Sequence, residues 1–165
     1  MPPYCAAFAN SQMSISLDLT SNLLWSQGLA GVVIFPALAL GEQLGASGKQ
    51  VIEAIACGFE VAARVKLALP PPINRDLTRE LVLHWTIFGA AAASAKMLGL
   101  DPEAVVNCLA LTGVHAPPAN WAFLAKGPIV LSKYGPLMGN MAATGACRGD
   151  AGPRRLYRKF QNSGR

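Results

Sequence analysis

A chain of 165 residues and 17.3 kDa, with 52% hydrophobic residues and 14% charged against the roughly 25% usual in soluble proteins, has the size of one domain and can bury a core. The net charge of +5 belongs to its end: from Arg148 onward six basic residues face Asp150 alone, while residues 1–147 carry eight of each sign, which excludes a basic nucleic-acid-binding face over the folded part. The longest apolar run, Leu29–Leu40, is about a dozen residues and contains Pro36, short of the ~20 that span a bilayer, so the low charge content points to surface covered by a partner subunit or by further chain rather than by a membrane.

In chain order, Tyr4–Asn10 reads as a short helix and Ser14–Gln27 as irregular, with Asp18 its only charge, set between Leu17 and Leu19. Val32–Leu44 reads as a second helix, with Pro36 acceptable in or near the first turn and Gly45 as the stop. Ser47-Gly48-Lys49-Gln50 fits a capping box, and Val51, Ile52, Ile55, Ala56, Phe59, Ala62 and Ala63 then repeat at three-to-four spacing opposite Lys49, Glu53, Glu60 and Arg64, predicting an amphipathic helix over 48–68. Pro70-Pro71-Pro72 ends it, and the loop Pro70–Arg79 carries Arg75, Asp76 and Arg79.

Leu83–Leu100, LHWTIFGAAAASAKMLGL, is the stretch on which the other helices are expected to pack. Gly89–Ala95 offers almost no side-chain volume, so neighbours can approach closely, and Phe88, Met97, Leu98 and Leu100 supply the larger contacts. Its leading edge, His84-Trp85-Thr86, sets a titratable ring and a hydroxyl beside an apolar wall. Gly99 closes it, and Asp101-Pro102-Glu103 opens a helix near 102–112 as N-cap, N1 proline and first-turn acid. Gly113–Asn120 is a loop holding His115, Trp121–Ala125 a turn of helix, 134–147 a last small-residue helix, and 148–165 a basic tail after a single helical domain over 1–147. No stretch alternates with a period of two, so the fold class is all-α. Cys5, Cys57, Cys108 and Cys147 are far apart, with no Cys-x-x-Cys and no histidine at ligand spacing; they read as small core residues, and no metal site is indicated. The N-terminus shows no secretory pattern, so the expected location is cytoplasmic, with reduced thiols.

Taken together, Phe8-Ala-Asn, Pro36-Ala-Leu-Ala-Leu-Gly-Glu, Gly45-Ala-Ser-Gly-Lys, Ala54-x-x-Cys-Gly-Phe-Glu-Val-Ala-Ala-Arg64, Phe88-Gly-Ala-Ala-Ala-Ala-Ser-Ala-Lys-Met-Leu-Gly-Leu-Asp101, Ala142-Ala143 and Gly149-x-x-Gly-Pro153 resemble, in order, the MmgE/PrpD family of 2-methylcitrate dehydratases and cis-aconitate decarboxylases. The resemblance implies part of a helical domain without the family's α+β lid, a homodimer, and cofactor-free dehydration or decarboxylation of a citrate-like tricarboxylate. Such chemistry needs a base, an acid for the departing hydroxyl, and cations for the carboxylates.

Carried over by position, the resemblance assigns Asp18 and His84 to proton transfer, and Thr86, Arg75 and one of Lys126 and Lys133 to substrate binding; Arg79 is an alternative to Arg75. His84 lies closer to the alanine run than is usual in the family. The histidine that the family carries after the aspartate falls here at Gly28 or Leu29. Two functions follow as alternatives: a lyase of this kind, or an inactive relative serving as a helical dimerisation or interaction module.

Overall fold

The computed structural model describes residues 1–15, 21–23, 26–27, 29–68 and 85–116, together with residues 140 and 144. Among them run α1 (Pro3–Ile15), β1 (Asn22–Leu23), β2 (Ser26–Gln27), α2 (Leu29–Leu44), α3 (Gly48–Ala68), α4 (Thr86–Met97) and α5 (Pro102–Val114). The two strands pair antiparallel, Asn22 opposite Gln27 and Leu23 opposite Ser26, and are too short to build a layer. The fold is all-α, as the periodicity predicts. Helix α4 is the hub, packed against α2, α3 and α5, while α1 lies on α2 and α2 also touches α3.

The helix ends follow from local chemistry. At α3 the capping box closes: the Ser47 amide donates to Gln50 Oε1 at 2.8 Å and the Gln50 amide to Ser47 Oγ at 3.4 Å. At α5 the Ala104 amide donates to Asp101 Oδ1 at 2.8 Å, and Pro102 occupies the first turn, where its missing N–H costs nothing. Helices α2 and α4 stop in the same way, at Gly45 and Gly99 with φ of +63° and +61°, a left-handed conformation that a β-carbon would strain. In each the following amide reaches back to a last-turn carbonyl, Ala46 to Gly41 at 2.9 Å and Leu100 to Ala95 at 3.1 Å.

Three segments differ from expectation, the first being the short β1–β2 pair within the expected irregular stretch 14–27. Helix α1 runs on past Asn10 to Ile15. Its continuation is covered by α2: Ser11 is fully buried, and Ala7 packs with Ala39. Helix α2 begins at Leu29, so Pro36 stands at its eighth residue rather than in its first turn. There it deprives the Val32 carbonyl of its helical donor. The helix persists because Val32, Val33, Ala37 and Leu40 around the proline are all buried, so tertiary packing outweighs a single lost hydrogen bond. The expected turn at 121–125 and the tail at 148–165 lie outside the described residues, as does most of the expected helix at 134–147, of which residues 140 and 144 are helical.

The core is built on backbone contact. Helices α3 and α4 cross at Gly58 and Gly89. A β-carbon on Gly58 would stand 2.7 Å from the Gly89 carbonyl oxygen and 2.6 Å from Val33 Cγ1; one on Gly89 would stand 2.8 Å from the Gly58 oxygen and 2.9 Å from both Ala62 Cβ and Val33 Cγ2. Ala54 and Ala62 of α3 and Ala90–Ala93 of α4 are buried around this crossing, and Trp85 fills the cluster with Val33, Ala37, Ala54, Ala62 and Ala93. On the other side of α4, Ala91 and Ala95 pack with Cys108 of α5. By contrast the Arg64–Glu60 pair on α3 is largely solvent-exposed and contributes about 0–0.5 kcal/mol.

Gly58→Ala should destabilise the chain. Alanine's helix propensity favours it by about 1 kcal/mol, but the overpacking at a rigid backbone contact costs roughly 3 kcal/mol, for a net loss of about 2 kcal/mol. Gly48→Ala, where nothing lies within 4 Å of the added carbon, should be neutral or stabilising. Urea unfolding of both variants at a common slope measures the difference, and a Gly58→Ala chain as stable as the wild type would refute close helix contact. Asp101→Ala should cost about 1 kcal/mol by the same measurement, through loss of the α5 cap.

Candidate functional site

Of the six residues to which the sequence assigns chemistry, the described structure contains one. Thr86 is the first residue of α4 and is fully buried. Asp18, Arg75, His84, Lys126 and Lys133 lie outside the described residues. What can be built is therefore the head of α4, the element that carries Thr86 and into which the chain from His84 leads.

Trp85, Thr86 and Ile87 all have 0% exposure. Trp85 holds the N-cap position in a helical conformation, φ −70° and ψ −20°, and its carbonyl accepts the Phe88 amide at 3.2 Å. Its indole lies among the alanines and valine of the core cluster. This pins the start of the helix from two sides, through the buried ring and through the first turn's hydrogen bond. Unlike α3 and α5, α4 has no side-chain cap, and like α3 it has no acid in its first turn. Its positive dipole end is thus unneutralised by either usual device. The Trp85 indole N–H is buried, with no acceptor among the described residues. A buried donor without a partner is uncommon enough in native proteins to call for a physical reason.

The spacing analysis missed Trp85 because a His-x-Thr pattern treats the middle residue as filler. The available signal was an indole donor followed by a run of glycine and alanine, which offers no side-chain acceptor.

Elsewhere, a cleft of about 420 Å³ lies between the C-terminal ends of α2 and α4 and the start of α3, lined by Leu44, Gly45, Ala46, Gln50, Glu53, Lys96 and Met97. It is at the opposite end of α4 from Thr86, about 17 Å away along the helix at 1.5 Å per residue. Gln50 is engaged in the α3 capping box and Glu53 and Lys96 are exposed, so the cleft has a solvated polar rim. His115, expected in a loop, is the C-cap of α5, its Nδ1 lying 2.9 Å from the Leu111 carbonyl oxygen; it is exposed, which fits a helix-ending role. Cys108 is buried while Cys5 and Cys57 are partly buried, and none of the three is in a disulfide. Among the described residues no cluster of three or more histidine, cysteine or acidic side chains could hold a metal ion, and no helix is long and apolar enough to cross a membrane.

Comparison with curated proteins and with solved structures finds no match. A family comparison does: residues 1–161 match the MmgE/PrpD N-terminal domain, over nearly the whole length of a chain whose helix α4 carries Thr86 at its head. The chain belongs to the MmgE/PrpD family.

Proposed function

We propose that the chain performs, or forms part of the site for, lyase chemistry of the 2-methylcitrate dehydratase kind on a citrate-like or alkylcitrate tricarboxylate, without a cofactor. The observation that carries this reading is membership of the family over residues 1–161, joined to a buried, uncapped α4 head at the threonine that the resemblance assigns to substrate. In a dehydration, a base removes the proton from the carbon next to a carboxylate, the electron pair forms the alkene, and the hydroxyl on the neighbouring carbon leaves as water after taking a proton from an acid. His84 and Asp18 are the groups for those two transfers. Arg75, Thr86 and one of Lys126 and Lys133 hold the carboxylates, with cationic and hydroxyl donors suited to negative charge that persists through the reaction. A cytoplasmic homodimer is part of the same proposal. It is supported by thiols that are in no disulfide and by apolar side chains left exposed on outward helix faces, among them Ile52, Leu67, Val106 and Val114.

One observation favours a second reading. The residue in place of the family's first histidine is Gly28 or Leu29, neither of which can carry a proton, so a chain that keeps the helical scaffold and has lost turnover fits the same sequence.

Incubation of the full chain with 2-methylcitrate, citrate and cis-aconitate separates the two. Appearance of alkene absorbance or release of carbon dioxide, falling at least 100-fold in His84→Ala as expected for loss of a proton-transfer group, supports the lyase. No turnover at high protein concentration, with His84→Ala indistinguishable from wild type, leaves the scaffold reading.

A further inference from the structure

We draw no further inference here: the strongest candidate, the cleft of about 420 Å³ between the C-terminal ends of α2 and α4 and the start of α3, carries nothing, because its polar lining residues Gln50, Glu53 and Lys96 are all exposed and no buried polar side chain among the described residues lines it to mark what it would hold.

Discussion

The fold depends on two helices touching through their backbones. With Gly58 on α3 facing Gly89 on α4, the helices meet at a distance no side chain would allow, and Val33 of α2 closes the third side of the same contact. Close approach maximises dispersion contact between the alanine-lined faces. It also explains why α4 can touch α2, α3 and α5 with a sequence as unassuming as GAAAASA. The tryptophan at its head then completes the cluster that alanines alone would leave underfilled.

That arrangement has a mechanical result for the candidate site. Side chains held on a rigid element are placed more precisely than side chains on a loop, and α4 is anchored at its start by the buried Trp85 and at its end by the Gly99 turn. Thr86 inherits that precision directly. Among the described residues the head of α4 has no side-chain cap, in contrast to the capped starts of α3 and α5.

Much of the fold was legible because it is written in local chemistry. The capping box at Ser47, the Asp101-Pro102 start of α5 and the stops at Gly45 and Gly99 each depend on residues within one turn, and each is where the spacing predicts it. The boundaries that differ are the ones decided by distant partners. Helix α1 is extended beyond Asn10 by burial of its face on α2, and α2 absorbs Pro36 because buried neighbours compensate for the lost bond. Of the candidate site residues only Thr86 falls among the described residues, and its position follows from the helix that it begins. His115 could not be told apart from a loop residue by sequence, since its role is to meet the carbonyl of Leu111 one turn earlier. Trp85 escaped notice because an orphaned donor is a property of its surroundings, which composition does not record.

The Gly58–Gly89 contact also bears on what family membership means for this chain. Glycine and alanine have nothing to trim, so at Gly58, Ala62, Gly89 and Ala90–Ala93 almost every replacement adds volume to a space already full. These positions form part of the pattern by which the chain resembles its family, and what they encode is a fit between helices. A reaction can be lost through one histidine without disturbing that fit, so ancestry is recorded in the packing and chemistry must be read separately, at the mouth of α4.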